Sequence, residues 1–234
     1  MSGSRSALAT GTGSTAGRGR GPTMSTEEAT KPTSRAEAKA ARREQLLNVA
    51  KTLYARHGFH GVRLDDLGQG AGISAPAVYR HFSSKEAVLE ELLVGISQYL
   101  QSGGDEIVAA AGQTSASADS DEADAAAATL HRLIDFHVDF AMSEPELIRI
   151  QDRDLAALPE DSRRTVRRLQ RAYVSRWAEV VATAHPDWSL DAATVRVHAV
   201  FGMMNSTPYQ ARRSSAEVVG VELRAAAAAA LGIG

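Results

Sequence analysis

Between residues 35 and 85 the chain carries nine lysines and arginines against four acids, a local charge of +5 in a protein whose net charge is −2. Cationic side chains at that density bind anions, and a basic segment joined to an acidic body has the composition of a polyanion-binding module. The last 149 residues hold 13 basic and 22 acidic groups, so the asymmetry lies between segments. An ordinary solvated helix face would carry the same charge. Two further groups have spacings that chemistry could use. His131, Asp135 and Asp139 recur every four residues with His137 nearby. No third ligand motif, nucleophile pair or phosphate loop accompanies them, so the expectation is a polar helix face rather than an active centre. Arg163, Arg164, Arg167, Arg168 and Arg171 line one or two faces of another helix. They suit phosphates through charge-assisted bonds, but a solvated stripe balanced by Glu160 and Asp161 is the favoured reading.

These groups need a scaffold, and 234 residues suffice for one compact unit or two small domains. Apolar residues make up 44% and aromatics only 5%, with alanine abundant, which favours helix over sheet. There is no cysteine. Disulfides, thiolate metal sites and a cysteine nucleophile are therefore excluded, and a reducing compartment is suited. No apolar run reaches the roughly 18 residues of a membrane span, and the N-terminus lacks the apolar core of a signal peptide. The expectation is a cytoplasmic protein that is not an enzyme, with no cofactor, no metal and no membrane partner.

Residues 1–34 read as a disordered tail, since 21 of them are Gly, Ser, Thr or Pro. Arg18, Arg20, Lys31 and Arg35 could form a basic arm there. From Ala36 the pattern is helical, and an amphipathic helix is expected to His57, ended by Gly58 as a left-handed cap. Leu64, Leu67 and Ala71 mark a second, short helix. Ser74 is expected to cap a third, with Pro76 in its first turn and Val78 and Phe82 pointing inward. Ser83 and Glu86 form a capping box for a long fourth helix, which Gly103–Gly104 should weaken. Residues 112–124 read as an acidic flexible loop. Helices then follow through Leu130–Ala141, after Pro145, after Pro159 and from Ser189, and Ser214 with Glu217 caps a last one, Val218 to Leu231. The fold class expected is all-α, with about nine helices.

Arg63 to Lys85 (RLDDLGQGAGISAPAVYRHFSSK) has the layout of a helix-turn-helix, two short helices about a glycine-containing turn. Phe59, Gly61, Asp65-Asp66-Leu67, Ala71-Gly72-Ile73-Ser74, Pro76, Val78-Tyr79, His81-Phe82, Ser84-Lys85 and Leu89 resemble the DNA-binding end of the TetR family of repressors over about 48 residues. Arg63 stands where the family has Thr or Ser, so the usual cap of the second helix is missing. Gly68 and Gly70 replace better helix formers at a cost of ~1 kcal/mol each, which predicts a soft second helix.

The resemblance implies a partition into a tail (1–34), a helix-turn-helix DNA-binding domain (35–83) and a ligand-binding and dimerisation domain (84–234). It places Ser74, Ala75, Ala77 and Arg80 at the major groove, with Arg80 bidentate on guanine and the alanines against thymine methyls. Tyr79, His81 and Lys85 would bond phosphates, and Lys39, Arg42, Arg43 and Arg63 would add affinity without sequence preference. The partners implied are a double-stranded DNA operator, a small-molecule effector and a second copy of the chain.

In the body, Arg153-Asp154-Leu155 with Leu158-Pro159, and Phe201-Gly202-Met203-Met204-Asn205, resemble a branch of the family that regulates lipid and acyl-CoA catabolism. That resemblance implies a pocket drawn from Phe136, His137, Phe140, Met142, Gln151, Tyr173, Trp177, Phe201 and Met204, with simple core packing as the competing reading for each. The implied effector is largely apolar, such as a fatty acid or acyl-CoA. The alternatives are a cationic or aromatic drug controlling an efflux gene, or a transcriptional activator. Dimerisation is expected through the last two helices, with Val218, Val221, Ala225–Ala230 and Leu231 offering a smooth face.

Overall fold

The computed structural model describes residues 34–115, 121–210 and 214–234. The expected tail and its arginines, apart from Ser34 and Arg35, lie outside the described residues, as does the centre of the expected acidic loop. The described residues form helices and turns, with no strand among them. The helices are α1 (Arg35–His57), α2 (Leu64–Gly70), α3 (Ala75–Val78), α4 (Lys85–Ser115), α5 (Glu122–Ser143), α6 (Pro145–Asp154), α7 (Glu160–Ala184), α8 (Leu190–Met204), α9 (Thr207–Gln210) and α10 (Ala216–Ala230). A 3-10 turn, Leu155–Ala157, joins α6 to α7. The single-turn α9 goes beyond the expected set; Pro208 sits in its first turn, where a missing N–H costs little.

Several helix ends are built differently from expectation. Ser34 and Glu37 make a reciprocal capping box at α1, the Oγ accepting from Glu37 N–H at 3.1 Å and the carboxylate from Ser34 N–H at 2.9 Å. Gly58 has positive φ but an extended ψ of 156°, so it turns the chain away rather than closing a left-handed cap. For α4 and α10 the capping hydroxyl belongs to the later serine of each pair. Ser84 accepts from Ala87 N–H at 3.2 Å and Ser215 from Val218 N–H at 3.3 Å. Either serine satisfies a sequence box, and the position at which helical dihedrals begin decides between them. At α2, Asp66 accepts from Arg63 N–H at 2.7 Å, which supplies the acidic half of a box without a hydroxyl.

The glycines are packing devices. A Cβ at Gly68 would lie 2.9 Å from Val78 Cγ2 and 3.0 Å from the Ile73 carbonyl oxygen, so α2 is pressed onto the turn and α3 rather than soft. α4 runs unbroken through Gly103–Gly104. The Phe136 ring of α5 would collide with a Cβ at Gly103, and the Tyr173 ring of α7 would meet one at Gly104 at 2.5 Å. Gly103→Ala should therefore destabilise the fold by roughly 1–3 kcal/mol through overpacking, more than the ~1 kcal/mol of helix propensity it gains. A melting temperature equal to or above that of the parent would show that the ring yields.

Two apolar cores result. One gathers Leu46, Ala50 and Tyr54 of α1 with Phe59, Leu67, Val78, Phe82 and Leu89, and is closed from below by Leu147, Ile150, Leu158 and Val166. The other joins α5, α7, α8 and α10 around Trp177. Between the cores, α6 is fastened to α1 at both ends. Lys51 pairs with Glu144. Arg153 donates to the Tyr54 carbonyl and to Asp154, whose buried carboxylate accepts from Phe59 N–H at 3.3 Å.

Candidate nucleic-acid interface and body cavity

α2 and α3 meet across Gly72, which has φ +66°, and Ile73 N–H bonds the Gly68 carbonyl at 2.9 Å to close the turn. Val78 and Phe82 are buried, and this turns the other side of α3 outward. Arg80 is exposed, and Tyr79 is 58% exposed, its hydroxyl outward rather than packed. Ala75 and Ala77 are half-buried. Ser74 precedes α3 but makes no side-chain cap bond, which corrects the expectation. Pro76 has no N–H, and Ala77 N–H is already bonded to the Ser74 carbonyl at 2.8 Å, so the hydroxyl is left to solvent. No acid occurs between Leu67 and Lys85.

The cations around this face divide into two kinds. Lys39 and Arg63 are exposed, and Arg42 is tethered lightly to Gln45. Arg43 is employed inside the protein: it forms a forked pair with Glu91 of α4, donates to the His81 carbonyl and lies 4.0 Å over the Phe82 ring. Lys85 is turned inward too. Its ammonium donates to the carbonyls of Phe59 and Val62, both at 3.2 Å, and sits 4.4 Å from the centre of the Phe59 ring. Both side chains, expected as phosphate contacts, thus have partners inside the protein: Lys85 at the carbonyls of Phe59 and Val62, Arg43 at Glu91 and the His81 carbonyl. Burial, followed by the charges of Lys39, Arg43, Arg80 and Arg42, holds the His81 imidazole below its ordinary pKa. Lys39, Arg42 and Arg80, beside the Glu91-paired Arg43, make this a cationic face suited to phosphates.

The body contains a cavity of about 240 Å³ bordered by α4, α5, α6, α7 and α8. Of the expected pocket residues, His137, Gln151, Tyr173 and Phe201 line it. Phe136 lies against Gly103, Phe140 is buried with Ala141 and Ile148, and Trp177 and Met204 are buried in the second core with Met142 packed against it; none of these five lines the cavity. Ser97, Leu100, Gln170, Val174, His198 and Asn205 complete the lining. Gln170 carried a faint signal, a polar residue next to the buried positions Leu169 and Tyr173. Burial pushes the His137 pKa down to about 4, so the imidazole is neutral at physiological pH. Its Nε2 donates to Asn205 Oδ1 at 3.1 Å, leaving Nδ1 to accept from the Tyr173 hydroxyl at 3.4 Å. The ring stacks on Phe201 with centroids 4.7 Å apart.

The other charged sets are structural as well. Asp135 and Asp139 both pair with Arg224 of α10, and His131 Nε2 bonds the Ile233 carbonyl at 3.0 Å. They tie α5 to the C-terminal helix. Arg163 pairs with Glu160, and Arg164 with Asp161 and Glu160, as the solvated-stripe reading expects for these two, while Arg167, Arg168 and Arg171 are exposed.

Residues 46–92 match the model for bacterial regulatory proteins of the tetR family, and residues 123–209 that for the tetracyclin repressor-like C-terminal domain. The chain belongs to the TetR family. Both matching models describe regulatory proteins rather than enzymes. The transcriptional repressor KstR2 of Rhodococcus jostii is 39% identical over 71 residues, 30% of this chain and 35% of that one, so the match spans about a third of the relative. A TetR-family regulator from Bordetella parapertussis shares the fold with a TM-score of 0.65 at 20% identity, over 78% of this chain and 91% of the other. The ketosteroid transcriptional regulator KstR2 of Mycobacterium tuberculosis superposes with a TM-score of 0.64 at 20% identity, over 82% and 93%. No helix among the described residues of this TetR-family chain is long and apolar enough to cross a membrane.

Proposed function

We propose that residues 35–83 bind DNA, that residues 84–234 bind an effector and dimerise, and that the dimer is a repressor seated on a palindromic operator until a small molecule enters the body cavity. The observation that carries the first part is the outward set Ser74, Tyr79 and Arg80, backed by Ala75 and Ala77 and flanked by Lys39, Arg42 and Arg63 with no acid among them. Small side chains let the α3 backbone approach the groove, and an unpaired guanidinium suits a guanine edge.

Two exposed stripes support the dimer. On α8, Ala192, Val195, Ala199 and Gly202 recur at helical spacing, and on α10 Val218, Val221, Ala225 and Ala229 do the same, with Glu222 at the edge. Val195 is 68% exposed and Val221 58%, apolar surface that a second copy of the chain would cover. Ala227, Ala228 and Leu231 belong to the subunit's own core, so the stripe is narrower than the whole alanine run.

Release requires the effector to favour one arrangement of the reading heads over the other. Ser97 and Leu100 connect the cavity to α4, while Gln151 lies on α6 just before the Arg153–Asp154 fastening to α1. Both helices lead from the cavity to the DNA-binding segment. For an acyl-CoA effector, Arg167 is the arginine positioned to meet the phosphates, since it shares the α7 face of Gln170 and Val174. No carboxylate lines the cavity, which disfavours a cationic drug. Gel-shift titration of the protein on its own upstream DNA tests the reading: an acyl-CoA series that includes chains bearing carbonyl or hydroxyl groups should release the operator, and Arg167→Glu should weaken that response. Operator binding that survives the whole series while a cationic drug abolishes it would overturn the effector assignment, and no footprint at all would overturn the operator assignment.

A further inference from the structure

The cavity is more polar than an acyl chain needs. Three carboxamides from separate elements border it: Gln151 of α6, Gln170 of α7 and Asn205 at the end of α8. The side chains of Gln151 and Gln170 make no hydrogen bond to any described residue, and Asn205 uses only its oxygen, toward His137. With His137 holding a single proton that it already donates to Asn205, the amide nitrogen of Asn205 is left with free donors. Ser97 is spent on the Leu93 carbonyl at 2.7 Å. No Lys, Arg, Asp or Glu lines the space, and its volume of about 240 Å³ falls below that of a typical drug-sized site.

These facts restrict what can fill it. A saturated hydrocarbon chain would take water from three carboxamides and return nothing, and each buried amide left unpaired is costly. An ammonium inside would meet no carboxylate, and a carboxylate would meet no Lys or Arg, only the solvent-exposed imidazole of His198. A molecule with oxygens that accept from the amide N–H groups, or hydroxyls that donate to the amide oxygens, satisfies them while its apolar body rests on Leu100, Val174 and the Phe201 ring. The His137–Tyr173 network helps by keeping Asn205 in one orientation: its oxygen is claimed, so its N–H₂ is what it offers a ligand.

Resting on the reading that this cavity takes the effector, we propose that the part of the effector held inside is uncharged and oxygenated, carrying carbonyl or hydroxyl groups at two or more positions, read by Gln151, Gln170 and Asn205. A plain alkyl chain is discriminated against.

A matched bicyclic series tests this on the full chain without DNA, by isothermal titration calorimetry: decalin, decalone, a decalindione and decalin carboxylate. Affinity should rise roughly tenfold with each oxygen that finds an amide, the dione binding tightest and the carboxylate not binding detectably. In Gln151→Leu and Gln170→Leu the dione should lose about tenfold while decalin gains. Equal binding of decalin and the dione, tight binding of the carboxylate, or no binding by any member overturns the proposal. The ranking on the parent protein stands even if a variant fails to fold. Tight binding of the dione without release of operator DNA in a parallel gel shift would instead remove the regulatory reading and leave the cavity chemistry in place.

Discussion

Arg80→Ala is expected to lower operator affinity by roughly 1–3 kcal/mol, about 5- to 150-fold, and to erase the base preference at one position in each half-site. Arg80 follows α3 on its outward side, exposed and with no internal partner, whereas Arg43 two helices away is held by Glu91 and the His81 carbonyl. A free guanidinium beside two alanines has the reach and the planar donor fork for a guanine edge. Selection of binding sites from a random pool for the parent and the variant provides the measurement. Unchanged preferences would make Arg80 a phosphate contact. Lys85→Ala supplies the contrast. Its ammonium bonds the Phe59 and Val62 carbonyls, so removing it should lower the melting temperature and loosen the segment between α1 and α2, with any loss of DNA affinity following from that. A normal melt combined with a flatter salt dependence of DNA binding would restore Lys85 to the phosphate contacts.

Ala229→Glu on α10 and Val195→Glu on α8 should each convert the dimer to monomer. Both positions are exposed in the subunit, so neither carboxylate disturbs the fold of one chain. In a two-fold bundle each would be buried twice, without a counter-ion, at several kcal/mol per carboxylate. Operator affinity should collapse with the dimer, because half-site binding loses the second set of contacts. Sedimentation velocity read together with circular dichroism distinguishes this outcome from unfolding. An intact dimer in both variants would place the interface elsewhere.

The helix-turn-helix was legible because its signals are local. Asp65 and Asp66 at the start of α2, Gly72 in the turn and Pro76 in the first turn of α3 act within a few residues, as capping and backbone preference do. The inward placement of Val78 and Phe82 follows from the same helical period. Where a local rule allowed two answers, as with Ser83 or Ser84 and Ser214 or Ser215, the sequence could only narrow the choice.

Glycine was the residue most open to misreading. Propensity alone marks Gly68, Gly103 and Gly104 as weak points, yet each is where a neighbouring side chain or ring presses on a helix. The neighbour is invisible at the level at which propensity operates.

What the sequence by itself determined, then, is the all-helical class, the position of the turn and the faces that pack inward. The tertiary structure alone decided which polar side chains are free to meet a ligand. Arg43 finds Glu91 at a separation of 48 residues, Arg153 reaches Tyr54 across 99, and His137 meets Asn205 across 68. Spacing along one helix says which face a group occupies, but its availability depends on what the opposing helix presents. That is why Arg43 and Lys85 have partners inside the protein, why Phe136 lies against Gly103 and Trp177 is buried, and why the carboxamides of Gln151, Gln170 and Asn205 border one space.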